Sequence, residues 1–401
     1  MRPCFLRDLW GMSPTIFWST WKMSSLPRTL IFLFCLCSAV LFSGRASAEA
    51  RESTIREVIT KAGRMLASEP NLPAVSIAVL RKGGDSPVSA AFGTACVEND
   101  VIMTDAHKIK IGSVTKLFTA ALVHKLIEEG KLGLNATVDR FFPDFPRGEE
   151  ITIEHLLTHT SGVIDMLRLE PVFANPTRRW SPEELIGMAG AKPLLFTPGT
   201  DQKYSNTGYL MLAQISEMAS GKGYEEQIRE NFVAKLGMKS LVVGQDETVV
   251  PQLACGYGES DDSGLILPIM MGIGMAKGTG NLLASPDDVV RLVNLDRMLE
   301  NNFLDAAPLA PLRLANGKSA QGAVDNGHGG YTRSFLVGGT VFMFNDPEIT
   351  LVGQIGSFPG FGTVFFYDRE TMFAVTVSVN NEKYIPLAIN SAVRILQELR
   401  N

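Results

Sequence analysis

The chain has 401 residues, of which 45% are hydrophobic and 20% charged, and a formal net charge of −5. That length can bury a large core, and those fractions exclude a disordered or fibrous chain. The mild acidity, with no Lys/Arg cluster or basic stripe, argues against nucleic acid as a partner.

Residues 1–48 read as leader rather than fold. From Met23, Arg28 supplies a positive start, Leu30 to Phe42 an apolar run, and Ala46-Ser47-Ala48 a small-x-small cleavage site before Glu49. The run fits the roughly 7–15 residues of a signal peptide and falls short of the roughly 20 that span a bilayer. The expectation is an exported protein, periplasmic or secreted, translated from Met23, with no stable membrane span after cleavage. Leu36 before Cys37 speaks against a lipoprotein. Cys4, Cys35 and Cys37 leave with the leader. Cys96 and Cys255 remain, and the sequence leaves open whether they pair or stay as two buried thiols.

In chain order, Ile55, Val58, Ile59, Ala62, Met65 and Leu66 recur at helical spacing, so residues 52–68 are predicted as a helix. Ala74–Leu80 and Val88–Thr94 follow as two strands joined by a Gly83-Gly84 turn. From Ser113 to about Met298 the pattern is mostly helical, and residues 299–330, rich in Ala, Gly and Asn, read as a long loop. Strands return at Thr340–Phe344, Thr350–Gly353, Thr363–Tyr367 and Phe373–Val379, before an amphipathic helix, Pro386–Leu399. This order predicts an α/β fold: one antiparallel sheet built from distant segments, flanked by both terminal helices, with a large, mostly helical insertion. The boundaries are 49–110 and 325–401 for a discontinuous α/β domain and 111–324 for a helical domain, with the active site between them.

Ser113-Val114-Thr115-Lys116 opens the strongest helix. Residues three apart share a helix face, so Lys116 can lie beside the Ser113 hydroxyl. A helix start favours alkoxide character, and a desolvated lysine can serve as a base near neutrality. Alone the pattern is cheap: S-x-x-K arises by chance about once in a chain of this size, and Ser19-Thr20-Trp21-Lys22 is a second instance. Tyr204-Ser205-Asn206, in a loop after Pro198-Gly199 and before a helix, makes the set more specific. The phenol could shuttle the serine proton and Asn206 could hold a substrate amide. In the plainer reading, Tyr204 packs and Asn206 caps the next helix.

Ser113, Lys116, Tyr204 and Asn206, in this order, with the stretches IGSVTKLFTA, ITIEHLLTHTSG, PGTDQKYSNTGYLML, NLLASPDDVVRLV and GSFPGFGTVFFYDRE, resemble the serine β-lactamase-like and penicillin-binding proteins of the class C and DD-peptidase type. The resemblance runs from about residue 52 to the carboxyl end. It implies the β-lactamase/transpeptidase-like fold, a nucleophile at Ser113, base partners Lys116 and Tyr204 sharing one role, a substrate contact at Asn206, and no cofactor or metal. The implied partner is a small-molecule or peptide substrate, including cell-wall peptide.

The family's third motif, His or Lys, any residue, then Gly, departs here. Aligned on the following Pro-Gly-Phe, its counterpart is Gln354-Ile355-Gly356, followed by Ser357. Gln354 is neutral, so a donor able to carry positive charge is missing. The backbone N–H of Ser357, with that of Ser113, could still form an oxyanion hole. Gly327-His328-Gly329 is a rival match, disfavoured because only the Gln354 placement leaves two strands and a helix behind it. Arg333 or Lys277 could replace the lost cation, and without one, neutral esters or amides become better substrates. The expected function is a serine hydrolase acting through a Ser113 acyl-enzyme, of the D-alanyl-D-alanine carboxypeptidase/β-lactamase type. The alternatives are an esterase or amidase on neutral substrates, or an inactive penicillin-binding-like binding module.

Two other patterns are set aside. His155 and His159, at i and i+4, suggest two metal ligands on one helix face, but the zincin Glu is missing. Residues 272–280, GIGMAKGTG, fail G-x-G-x-x-G at Lys277 and read as a loop bordering the pocket.

Overall fold

Runs of β-branched and aromatic residues in the two end segments form a nine-stranded antiparallel sheet in the computed structural model, which describes residues 49–245, 249–259, 266–268, 272–306, 308–325, 330–345 and 347–401. The leader and His328 lie outside these residues. The fold described below is that of the unit Ser53–Asn401. In chain order its sheet strands are β1 (Ala74–Arg81), β2 (Val88–Cys96), β3 (Val101–Ile102), β4 (Gly322–Val324), β5 (Tyr331–Phe335), β6 (Thr340–Asn345), β7 (Glu348–Phe358), β8 (Phe361–Asp368) and β9 (Phe373–Val379). They lie in the order β4-β5-β6-β7-β8-β9-β1-β2-β3, so the first and last segments of the unit pair directly, Val75 opposite Val379.

The alternation of side chains along β7 shows how the sheet divides the molecule. Ile349, Leu351 and Ile355 join a core with Ile55, Ile59 and Leu66 of α1 (residues 53–66 in this unit) and Ala388, Ile389, Ala392, Val393 and Leu396 of α4 (Ile385–Glu398). Both terminal helices therefore cover one face, as their apolar stripes require. Val352 and Phe358 join the second core, built with α2 (Thr115–Glu128) and α3 (Asn206–Ser220). Every residue of α2 from Thr115 to Val123 is buried, so this helix is enclosed on all sides rather than amphipathic.

Three strands of this sheet were not legible in the pattern. The edge strands β3 and β4 are short and largely exposed, and an edge strand pairs on one side only, so neither needs an apolar run. β5 carries polar Thr332, Arg333 and Ser334 between its aromatic ends. The expected loop at 299–330 thus contains a helical turn, Phe303–Ala306, and the strand β4. Cys96 and Cys255 form a disulfide, with Cα atoms 4.9 Å apart, which closes the alternative of two free thiols. Among the described residues no helix is long and apolar enough to cross a membrane.

Candidate active site

Two chain segments cross in close backbone contact at the start of α2. Gly112, at φ +53°, and Gly356 of β7 face each other's backbones: a Cβ on Gly112 would stand 2.5 Å from the Ser357 oxygen, and one on Gly356 would stand 2.0 Å from the Ile111 oxygen. Only glycine permits that approach. The amide nitrogens of Ser113 and Ser357 flank this crossing, 3.1 Å and 2.8 Å from the same two Cβ positions. Ser113 itself sits in the 3₁₀ turn Gly112–Val114 that leads into α2, two residues before the α-helix proper.

The Ser113 hydroxyl is met from two directions. Tyr204 donates its phenolic hydrogen to Ser113 Oγ at 2.6 Å, and Lys116 Nζ lies 3.3 Å from the same oxygen. Lys116 is only 1% exposed. Its nitrogen donates to Asn206 Oδ1 at 2.7 Å and to the Thr279 carbonyl at 2.8 Å. Asn206 passes the connection on, donating from Nδ2 to both Asp165 oxygens at 3.0 and 3.2 Å.

Burial sets the proton inventory. Desolvation pulls the Lys116 amine down to about 7, outweighing the nearby Asp165 charge that would raise it. Desolvation pushes the Tyr204 phenol well above its ordinary value, against the smaller opposing effect of its Ser113 hydrogen bond, so it stays protonated at neutral pH. A neutral amine has two hydrogens and one lone pair. Asn206 Oδ1 and the Thr279 carbonyl take both hydrogens, which leaves the lone pair for Ser113.

A buried histidine backs this arrangement. His159 adopts φ +57° and accepts from Ser205 N at 3.1 Å through Nδ1. Its ring centroid lies 4.4 Å from that of Tyr204 and 4.7 Å from that of Phe335. Burial holds the imidazole well below its ordinary pKa, and the neighbouring Lys116 and Arg333 charges add to the effect. His155, in contrast, closes a capping box with Thr152. The helix between them ends at Leu157, so the two histidines do not share a face and serve separate structural contacts. Among the described residues, the one group of metal-type side chains is Cys96, Glu98 and Cys255, and its two sulfurs are joined to each other.

Asn206 is the first residue of α3, and its cap is Ser205, so Asn206 neither caps the helix nor carries a free amide. Gln354 is buried, and its Oε1 accepts from Ile355 N at 3.0 Å, while alternation places it on the same strand face as Gly356. Ser357 is exposed, and its hydroxyl donates to Glu382 Oε2 at 3.1 Å. Of the two replacement cations, Lys277 is tied to Glu217 at 2.6 Å, whereas Arg333 stands on β5 with its guanidinium 5.3 Å from the Phe335 ring centroid. Residues 272–280 do border the site, since Thr279 receives Lys116 and Gly278 packs onto Ala213. Asp165 and Phe335 escaped the sequence reading, and His159 entered it only as a discarded metal ligand; nothing in spacing marks the three as parts of one cluster with Tyr204 and Asn206.

The family model for beta-lactamase matches residues 55–400, and the chain belongs to this family of serine hydrolases. It is 27% identical to penicillin-binding protein 4* of Bacillus subtilis (strain 168) over 79% of this chain and 70% of that protein. It is also 27% identical to the D-alanyl-D-alanine-carboxypeptidase/endopeptidase AmpH of Escherichia coli (strain K12), over 66% of this chain and 68% of that one. The D-amino acid amidase from Ochrobactrum anthropi SV3 superimposes with a TM-score of 0.71 at 24% identity, covering 88% of this chain and 99% of the amidase, a likeness of fold. This chain is an enzyme, a serine hydrolase with the β-lactamase/transpeptidase-like fold.

Proposed function

We propose that the protein is an exported serine hydrolase whose Ser113 forms an acyl-enzyme, of the D-alanyl-D-alanine carboxypeptidase/β-lactamase type. The observation that carries this reading is the convergence of a hydroxyl, an amine and a phenol from residues 113, 116 and 204 within hydrogen-bonding reach. Ser113 Oγ attacks the substrate carbonyl while its proton passes to the neutral Lys116 amine. The tetrahedral oxyanion is held by the Ser113 and Ser357 N–H groups. Collapse breaks the bond to the leaving group, which takes a proton through Tyr204, the phenol being replenished from Lys116. Water then releases the acyl group and restores Ser113. Asn206 positions the amine and Asp165 positions Asn206. Gly356 lets β7 reach the nucleophile. The site would lie between the α/β domain (49–110 and 325–401) and the helical domain (111–324).

Export is supported by the leader pattern ending at Ala48 and by the Cys96–Cys255 disulfide, which persists in oxidising compartments. A second reading, an esterase or amidase on neutral substrates, is favoured by Gln354, which offers no positive charge. A mere binding module has no chemical use for a buried amine beside a serine.

Incubation with a fluorescent penicillin and with a fluorophosphonate, followed by intact mass spectrometry, separates these readings. Adducts on Ser113 from both reagents fit the carboxypeptidase/lactamase type. Labelling by the fluorophosphonate alone fits the neutral-substrate enzyme. No adduct from either overturns the hydrolase mechanism.

A further inference from the structure

The end of β7 that reaches the nucleophile is covered by a strand on one side only. β7 pairs with β8 from Val352 to Phe358, but with β6 only from Glu348 to Gly353. Along residues 354–358 one edge therefore has no strand beside it, and this stretch holds Gly356 and the Ser357 amide against the start of α2. An extended substrate can lie along such an edge. Side chains alternate along it: Val352 and Phe358 join the core on the α2 side, whereas Ile355 packs against the core of the terminal helices. Ser357 points the same way as Ile355, toward the start of α4, and is exposed.

A carboxylate stands there. Glu382 begins the 3₁₀ turn Glu382–Tyr384 that leads into α4, and its Oε2 accepts from the Ser357 hydroxyl at 3.1 Å. Only the Cα and Cβ atoms of Ser357 separate that hydroxyl from the nitrogen that flanks the nucleophile. Among the described residues Glu382 has no cationic partner, since its neighbour Lys383 is paired with Glu259, and Gln354 brings no charge to the strand. An acid in a first helical turn is favoured by the helix dipole alone. That role needs no contact with β7, and the bond to Ser357 turns this one toward the uncovered edge.

We propose that Glu382 is a specificity-determining residue that reads substrate charge at this edge, selecting an ammonium group and turning away a carboxylate. The inference rests on the hydrolase reading above, and of its two substrate versions it favours the one with no substrate carboxylate at this end. An ammonium brings three donors, so Glu382 can hold Ser357 through Oε2 and keep Oε1 for the ligand. The Ser357 bond orients the carboxylate in advance, so less side-chain freedom is lost on binding. A substrate carboxylate would meet a like charge that is half-buried, where repulsion is stronger than in open water.

The test uses the full-length protein and aryl esters identical except for one terminal group: an ammonium, its N-acetyl derivative, or a carboxylate. One set carries the group on the acyl chain and a second set on the aryl part. In the set whose group reaches the β7 edge, the wild-type enzyme should favour the ammonium over the N-acetyl ester by about fivefold in kcat/KM, the scale of one partly exposed ion pair. The carboxylate ester should come last. Glu382→Gln should bring the ammonium/N-acetyl ratio close to one and Glu382→Asp should keep part of it. Glutamine still accepts from Ser357, so a residue that merely anchors the strand would change all three esters alike or not at all. An unchanged ratio in Glu382→Gln, or no wild-type preference in either set, overturns the proposal. If Glu382→Gln does not fold, a salt series on the wild type replaces it. The preference should shrink between about 0.01 and 1 M salt, as the screening length falls from about 30 to about 3 Å, and a preference indifferent to salt counts equally against Glu382. Fluorophosphonate labelling of wild-type Ser113 keeps the two failures apart. Labelling without charge preference removes the role of Glu382 alone, whereas absence of labelling removes the hydrolase reading and this role with it.

Discussion

The two walls of the active site are built by different means. On the α2 and α3 side, everything depends on side chains: Ser113, Lys116, Tyr204, Asn206 and Asp165 form one hydrogen-bonded chain, with the amine and its partners buried. On the β7 side the contribution is backbone: Gly356 and Gly112 permit contact, and the amides of Ser113 and Ser357 flank it. The difference explains why the sequence can depart from the family at residue 354 and still keep the geometry of the site. A wall that works through N–H groups tolerates side-chain change, whereas a wall made of proton carriers does not.

On the side-chain wall, Ser113→Ala should abolish turnover with a nearly unchanged melting temperature, since the serine is a small residue in a turn and not a core element. Lys116→Met should lower kcat about 10²–10⁴-fold, the range of a lost general base, checked by steady-state kinetics on any substrate that labels Ser113. On the backbone wall, Gly356→Ala should be far more damaging than its single methyl suggests. The new Cβ would meet backbone on the facing segment at 2.0 Å, which side-chain movement cannot relieve. A fall in kcat of about 10²-fold or more, the scale of a lost oxyanion donor, together with a lower melting temperature, is expected. If Gly356→Ala behaves like wild type, the contrast between the walls is wrong.

The pH dependence sharpens the same contrast. With the Lys116 amine lowered to about 7 by burial, kcat/KM should rise with pH through that value as the base loses its proton. The sign for stability is the same. The folded pKa lies below the unfolded value near 10.5, so between about 7 and 10.5 the unfolded chain binds more protons, and stability should climb with pH across that window. Lys116→Met should remove this climb while leaving the effects of other groups in place, measured by denaturant titration at several pH values.

Away from both walls, replacing Cys96 and Cys255 with serine should cost about 2–5 kcal/mol of stability by releasing a long loop in the unfolded chain. Turnover at low temperature should be little altered. The smallest expected effect is Ser357→Ala. It removes the hydroxyl bonded to Glu382 and keeps the N–H, so kcat should change by no more than a few-fold. A loss as large as that of Gly356→Ala would make the Ser357 side chain part of the machinery.

The antiparallel sheet, its two covering helices and the family were legible in the sequence, and the candidates Lys116 and Tyr204 both lie within hydrogen-bonding reach of Ser113. Periodicity records burial, and an S-x-x-K pair at a helix start lies within a single turn, so local spacing already carries its geometry. Strands β3, β4 and β5 were not legible, because short edge strands and strands with polar faces bury too little apolar surface to leave a period. The site's outer parts were equally hidden. Asp165 reaches Lys116 through Asn206 only because the loop before the turn Met166–Arg168 meets the start of α3 beside α2, and no spacing along the chain encodes a meeting of segments so far apart. The helical reading of His155 and His159 failed for a related reason: the backbone leaves the helix at Leu157 and turns to positive φ at His159, where the ring packs on Tyr204 rather than beside His155. Sequence thus named the family and the candidate groups for the chemistry. The tertiary packing decided how dry they are, where their protons sit and which charges face them, since desolvation and Coulomb effects depend on distance in space rather than on position in the chain.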